Sequence, residues 1–314
     1  MKQKLLIIAG PTAIGKTSIS ILVAEKLCGE IISADSAQVY KYMDIGTAKI
    51  SKEEMKGIKH YMLDVLYPDE IFSAALFKEK AENYINDICD RGKLPIIVGG
   101  TGLYINSLLN NFEFTDSIID KEYRNELINI AYEKGNKYVH EMLKGIDYIS
   151  YNKLHPNDLR RVIRALEVYK NTGKPISYFQ ALSRQQPCKY DFSYIALNMK
   201  RDKLYKRIED RVDKMIKSGL ISEVEKLLKM GYNKEHTALQ ALGYKEIIDY
   251  LQNKYSYDEA INKLKKNTRN YAKRQLTWFR NDSRVFWLNV DSYFSIEILV
   301  ENIIRYTAGK ISLI

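Results

Sequence analysis

Two rhythms of apolar positions alternate along this chain. Lys4-Leu5-Leu6-Ile7-Ile8-Ala9 is a short apolar run rich in strand formers, and Ser18 to Leu27 then carries apolar residues at helical spacing. Glu30-Ile31-Ile32-Ser33-Ala34-Asp35-Ser36 predicts a second strand, and His60 to Val65 another. A helix follows from Ser73, a suitable N-cap, to about Asp90. Leu94-Pro95-Ile96-Ile97-Val98 has the continuous hydrophobicity of a buried parallel strand. From about Asn111 to about Lys189 the alternation stops and only helical periodicity remains, clearest over Glu122 to Glu133, Lys137 to Leu143 and Asn157 to Lys170. Strand character returns at Tyr194 to Met199, followed by a helix over Leu204 to Met215, a last strand at Val285 to Val290 and a closing helix from Ile296 to Ala308. The pattern predicts an α/β protein with a parallel sheet, helices on both faces and an all-helical insertion. The core would take residues 1–111 and 190–314, and the insertion residues 112–189.

The loop between the first strand and the first helix adds chemistry to that outline. Gly10-Pro11-Thr12-Ala13-Ile14-Gly15-Lys16-Thr17 fits G-x-x-x-x-G-K-[ST] at every fixed position, so the sheet is P-loop NTPase-like. The two glycines let successive backbone N–H groups turn inward at a helix N-terminus, Lys16 supplies a cation, and the Thr17 hydroxyl suits Mg²⁺. A di- or triphosphate is the expected ligand. Asp35 sits where strand C-termini open onto the ligand crevice of a parallel sheet. It can serve as a metal ligand, as a base for a second substrate, or as the cap of the next turn. Gly99-Gly100-Thr101-Gly102 ends the buried strand; its glycines permit close approach of a ligand or simply a tight turn.

Charge changes the picture next. The 314 residues include 49 Lys+Arg against 39 Asp+Glu, a net charge of +10, and 46% hydrophobic residues are enough for a core. That balance suits a polyanion such as nucleic acid, or reflects a lysine-rich composition, so the position of the arginines decides. Arg160, Arg161 and Arg164 follow a helix start at His155-Pro156-Asn157-Asp158, with Asn157 or Asp158 as cap. They suit phosphate contact or a solvated face. Arg207 and Arg211 share one side of their helix. Glu259 to Arg280 interleaves Arg269, Lys273 and Arg274 with Tyr271, Trp278 and Phe279, as an RNA-binding face or as an amphipathic helix with aromatics inward. Cys28, Cys89 and Cys188 form no C-x-x-C pair, the four histidines have no H-x-x-x-H spacing, and no run approaches a membrane span. The chain reads as cytoplasmic and reducing.

GPTAIGKT, SADSAQVY and MDIGTAK, then VGGTGLY, HPNDLRRVIRALEVY, ALGYKE and RNYAKRQLTWFR, occur in this order over most of the chain. This series resembles the tRNA dimethylallyltransferase, or tRNA isopentenyltransferase, family. The resemblance implies transfer of a dimethylallyl group from dimethylallyl diphosphate to N6 of adenosine 37, in tRNAs reading codons that begin with U. It implies that Gly10 to Thr17, with Arg211 and next Arg207, hold the diphosphate, with Mg²⁺ as cofactor and Thr17 as its ligand. Asp35 becomes the base for the adenine amine, with Lys16, Thr17 and Arg211 stabilising the leaving group. Asp35, Ser36, Ala37, Gln38 and Thr101 would meet the target base. Arg124 and the run Arg160-Arg161-Val162-Ile163-Arg164 would grip the anticodon stem-loop, with Arg269, Lys273 and Arg274 on another side. A monomer is expected. A small-molecule P-loop kinase, an adenylate isopentenyltransferase acting on free nucleotide, and a non-catalytic RNA-binding regulator are the alternatives.

Overall fold

The structure, a computed structural model, describes residues 2–112 and 120–311. Six strands, β1 (Gln3–Ala9), β2 (Gly29–Ala34), β3 (His60–Tyr61), β4 (Leu94–Gly99), β5 (Tyr190–Asn198) and β6 (Phe286–Asn289), form one sheet in the order β3-β2-β4-β1-β5-β6. Every neighbouring pair is parallel. All residues of β2 and β4 are buried; β4 accordingly reads as an apolar run, while β2 also buries Glu30 and Ser33. The helices between strands are α1 (Lys16–Lys26), α2 (Ala74–Asp90) and α3 (Gly102–Leu109). Then come α4 (Lys121–Lys134), α5 (Asn136–Glu141), α6 (Tyr148–Lys153), α7 (Leu159–Thr172) and α8 (Ile176–Gln185). After β5 the chain forms α9 (Arg201–Lys217), α10 (Leu220–Lys229), α11 (Tyr244–Leu251), α12 (Tyr257–Arg280) and, past β6, α13 (Ile296–Lys310).

The chain divides into two compact units, Met1–Ile105 with Tyr190–Ile314, and Asn106–Lys189. The first is the α/β unit. Its core joins Leu6 and Ile8 of β1, Ile19 and Val23 of α1, Ile195 and Leu197 of β5, Ile208 of α9 and Ile303 of α13. The second unit is helical over its described residues 120–189, and closes its own core around Leu127, Val139, Leu143, Val162 and Leu166. The expectation of a strand-free insertion also covered residues 113–119, which lie outside the described residues.

The main departure from the sequence reading is the third strand. Met62 (φ 64°) and Asp64 (φ 53°) adopt left-handed conformations, which end the extended run at Tyr61 instead of Val65. Ser73 caps α2 as its composition suggests, its Oγ accepting from Leu76 N–H at 3.1 Å. Asp158 occupies the N-cap of α7 without capping it; its carboxylate pairs with Arg161 at 3.1 Å.

Candidate active site

The loop after β1 curls because three of its residues take positive φ: Gly10 (149°), Ala13 (64°) and Gly15 (99°), the last at the N-cap of α1. A Cβ on Gly10 would sit 2.9 Å from the Leu197 carbonyl oxygen, so β5 also demands a glycine there. Lys16 folds back over the loop, its Nζ donating to the carbonyls of Gly10 (3.0 Å) and Pro11 (2.8 Å). Burial pushes the Lys16 ammonium down to about 8; the Asp35 carboxylate pulls it up and the Arg211 charge lowers it further. Arg207 Nη1 reaches the Ile14 carbonyl at 3.3 Å, and Arg211 Nη2 the Thr47 carbonyl at 3.1 Å. Burial lowers the Arg211 guanidinium, against the opposing pull of Asp35. Four cationic side chains, Lys16, Arg207, Arg211 and Lys214, therefore line one pocket of about 620 Å³. Such crowding of like charges, partly desolvated, is a site prepared for an anion.

Asp35 and Gln38 line the same pocket. Asp35 Oδ1 accepts from the N–H groups of Ala37 (2.9 Å) and Gln38 (3.3 Å), so it does cap the turn after β2. Both bonds fall on Oδ1, which leaves Oδ2 for other work. The capping and catalytic alternatives are thus compatible. Gln38 is already engaged: its Oε1 accepts from Ser33 Oγ (3.1 Å) and its Nε2 donates to the Thr47 (3.3 Å) and Ala48 (3.4 Å) carbonyls. Beyond this polar end the pocket turns apolar, at Ile31, Ile50, Leu63 and Val98.

The far wall comes from α12. Gln275, buried in the stripe of that helix, accepts from Thr12 N–H (2.9 Å) and donates to the Gly100 carbonyl (3.0 Å). It ties the phosphate loop to the end of β4. A Cβ on Gly100 would lie 2.0 Å from Gln275 Nε2, and one on Gly102 2.1 Å from the Trp278 ring. Those two glycines make room for α12 rather than for a ligand; Gly99, which lines the pocket, is the one beside the cavity. The Thr101 hydroxyl is buried beside the Tyr271 phenol, and Thr101 is not among the residues that line the pocket. Tyr271 lines the pocket, with its phenol pushed well up by burial and next by the Asp35 charge. The sequence does not single out Gln275, and it offers Tyr271 only as one of the aromatics of an RNA-binding face or an amphipathic helix. The available signal was a polar residue, Gln275, in register with the buried positions Leu264, Thr268, Ala272 and Phe279.

The predicted RNA-facing cations fall into two groups. In the helical unit, Arg124 and Arg164 both pair with the fully buried Glu167, at 2.7 Å from Arg124 Nε and 2.5 Å from Arg164 Nη1. Arg160 and Arg161 are exposed. Val162 and Ile163 are a correction: at 0% and 5% exposure their side chains belong to the unit's core and do not form a contact surface. On α12, Arg269 pairs with Glu209 at 2.5 Å, while Lys273 and Arg274 are exposed and Arg274 lies 5.7 Å from the Tyr271 ring centroid.

For Mg²⁺, the exposed Thr17 hydroxyl on the pocket wall supplies one hard oxygen donor. Among the described residues no cluster of three or more His, Cys, Asp or Glu stands ready to bind a metal. That donor set fits an ion held by phosphate oxygens and water with one protein hydroxyl, as is usual for Mg²⁺. Among the described residues no helix is long and apolar enough to cross a membrane.

The sequence matches the family model described as IPP transferase over residues 38–282. It is 55% identical over 306 residues to a tRNA dimethylallyltransferase of Acetivibrio thermocellus, covering 98% of each chain. The fold resembles a tRNA isopentenylpyrophosphate transferase of Bacillus halodurans, with TM-score 0.73, 45% identity and 98% of each chain covered. It also resembles a eukaryotic dimethylallyltransferase acting on tRNA, with TM-score 0.78 and 33% identity over 91% of this chain and 74% of that one.

Proposed function

This chain belongs to the IPP transferase family, and from that membership we propose that it transfers a dimethylallyl group from dimethylallyl diphosphate to N6 of adenosine 37 in tRNA, the tRNAs being those that read codons beginning with U. The observation that carries the reading is the single pocket in which the Lys16 loop, Arg207 and Arg211 face the carboxylate of Asp35. An anion cradle and a base side by side suit displacement of a diphosphate by a weak nucleophile. The adenine amine attacks C1 of the donor. The C1–O bond breaks with its electron pair going to the diphosphate oxygen, and the N6 proton passes to Asp35 Oδ2. Oδ1 stays fixed by the Ala37 and Gln38 N–H groups, which aims Oδ2. Lys16, the loop amides and Arg211 take up the charge that develops on the leaving group. Mg²⁺ held by Thr17, when bound, would draw further charge off the diphosphate. The apolar wall at Ile31, Ile50, Leu63 and Val98 suits a hydrocarbon tail, and the Thr101 hydroxyl, next to the pocket-lining Tyr271, is proposed to meet the base together with that phenol. An adenine stacked in an anticodon loop must leave the stack to enter such a pocket. The exposed Arg160, Arg161, Lys273 and Arg274 supply backbone contacts.

The test is transfer of label from dimethylallyl diphosphate to tRNA with Mg²⁺, followed by nucleoside analysis, with AMP and ATP plus nucleosides as parallel arms. Prenylated adenosine from tRNA alone is the expected result. Prenylated AMP at an equal rate, or phosphoryl transfer without tRNA, overturns it. Asp35→Ala should lower turnover by about 10²–10⁴-fold with tRNA affinity retained, the range for a general base; an unchanged rate removes Asp35 from that role.

A further inference from the structure

Helix α10 carries a carboxylate that the transfer chemistry leaves unused and the fold engages fully. Glu223 Oε2 accepts from the N–H groups of Asp44 (2.9 Å) and Ile45 (2.8 Å). Its Oε1 accepts from Gly46 N–H (3.0 Å) and from the Tyr244 hydroxyl (2.7 Å). Successive backbone N–H groups turned onto one anion form a nest, and the bonds are charge-assisted. Tyr244 opens α11 and is fully buried; a Cβ on Gly46 would lie 2.6 Å from its ring, so only glycine fits that position. Burial, followed by the Glu223 charge, raises the Tyr244 phenol, which keeps it a donor.

The segment so held walls the pocket. Thr47 offers its carbonyl to Arg211 (3.1 Å) and to Gln38 (3.3 Å), and Ala48 offers its own to Gln38 (3.4 Å). Residues 43–48 form neither helix nor strand; turn bonds such as Thr47 Oγ1 to the Met43 carbonyl (2.7 Å) and Lys49 N–H to the Asp44 carbonyl (2.9 Å) shape the segment, and side chains from elsewhere anchor it. Lys49 holds the end of the segment: its Nζ donates to the Tyr40 carbonyl (2.8 Å) and pairs with Asp44 (2.6 Å) and Asp64 (2.7 Å). Glu223 holds the beginning.

The geometry points to Glu223 as a positioning residue: through the backbone of Asp44 to Gly46 it sets the Thr47 and Ala48 carbonyls, and through them the reach of Arg211 and the orientation of Gln38. This rests on the functional reading for what Arg211 and Gln38 do, but the coupling itself is measurable with diphosphate alone. In Glu223→Gln one acceptor oxygen becomes an NH₂ group that faces donors. The dissociation constant for inorganic diphosphate with Mg²⁺ should rise about tenfold, the effect of misplacing one charged hydrogen-bonding partner. In an Arg211→Ala background the same substitution should change it less than about twofold, because the route to the ligand is already cut. The kcat for prenyl transfer should fall by at least the same factor. A dissociation constant unchanged in Glu223→Gln, or a penalty of equal size with and without Arg211, overturns the inference and makes Glu223 merely structural. Should Glu223→Gln fail to fold, Tyr244→Phe, which spares the backbone nest, decides by the same criteria with an expected shift of about threefold. If the wild-type protein makes no prenylated tRNA while the coupling to Arg211 is seen, the functional reading fails and this inference stands.

Discussion

Lys16 lies folded over the phosphate loop with its ammonium pushed down to about 8, chiefly by burial. A diphosphate placed in that loop brings the opposite charge to it, and its proton should be held again at or above the ordinary lysine value near 10.5. Binding then takes up a proton wherever the empty pocket has lost one. The linkage gives the sign: below pH 8 Lys16 is charged before and after binding and affinity is flat; above it, affinity falls as pH rises. From these two values the dissociation constant should rise about tenfold between pH 7 and pH 9, or about 1.4 kcal/mol. At pH 8.5 binding should absorb about three-quarters of a proton.

The assay is titration calorimetry with dimethylallyl diphosphate, without tRNA and at fixed Mg²⁺, in two buffers of different ionisation enthalpy. The ligand's own phosphates are fully ionised above about pH 7.5, so its titration does not mimic the effect. Lys16→Met should bind more weakly at pH 7 with no proton uptake. Lys16→Arg should bind with a flat profile, since guanidinium keeps its charge. A wild-type profile that stays flat from pH 7 to 9, or proton uptake surviving in Lys16→Met, would refute the account of the cradle. For stability the sign reverses. Because the folded value lies below the unfolded one, charging Lys16 in the empty pocket costs the fold below pH 8, and the cost is relieved as pH rises toward 10.5.

Other substitutions separate site from scaffold. Gln275→Ala orphans the Thr12 N–H and the Gly100 carbonyl, which should lower stability by about 2–4 kcal/mol in urea unfolding and weaken diphosphate binding. Arg164→Ala leaves the buried Glu167 with Arg124 as its remaining charged partner and should cost about 3 kcal/mol in the same assay. Arg160→Ala, on an exposed side chain, should leave stability unchanged and flatten the salt dependence of tRNA binding by about one unit of slope. Glu30 is held down to about 2 by Arg91 foremost, against the opposing effect of burial. Its contribution is therefore full above the unfolded value of 4.5 and lost as pH falls toward 2. Glu30→Gln should remove about 2–3 kcal/mol at pH 7 and flatten acid unfolding in that window.

The parts of this molecule legible in its sequence are those whose signal is local. The phosphate loop is fixed by Gly10, Gly15, Lys16 and Thr17 within eight positions; β4 announces itself as a run of apolar residues, and β2 by Ile31 and Ile32, although it also buries Glu30 and Ser33. Asp35 was legible by its place at a strand end. The third strand was overextended because nothing in His60 to Val65 reveals that Met62 and Asp64 turn left-handed. Arg124 reads as a free cation because its partner, Glu167, lies 43 residues further on, whereas Glu167 stands only three residues after Arg164, and that pairing was open to the sequence. The glycines of Gly99 to Gly102 left a ligand and a tight turn both open, whereas Gly100 and Gly102 answer to Gln275 and Trp278.

The misses at the pocket walls share a cause. The phosphate cradle is short-range in sequence, but its walls are set by long-range polar contacts: Gln275 with Thr12 across 263 positions, Arg207 with Ile14 across 193, Glu223 with Asp44 across 179. Apolar packing tolerates small shifts, since dispersion is non-directional. A carboxylate bonded to three adjacent N–H groups, or an amide spanning a loop and a strand end, does not, because each lost bond leaves a desolvated group unpaired. The C-terminal helices thus define the geometry of a pocket whose reactive groups lie in the first few dozen residues. It follows that changes in α10 and α12 should reach catalysis through Arg211 and the phosphate loop even when no substituted atom touches substrate.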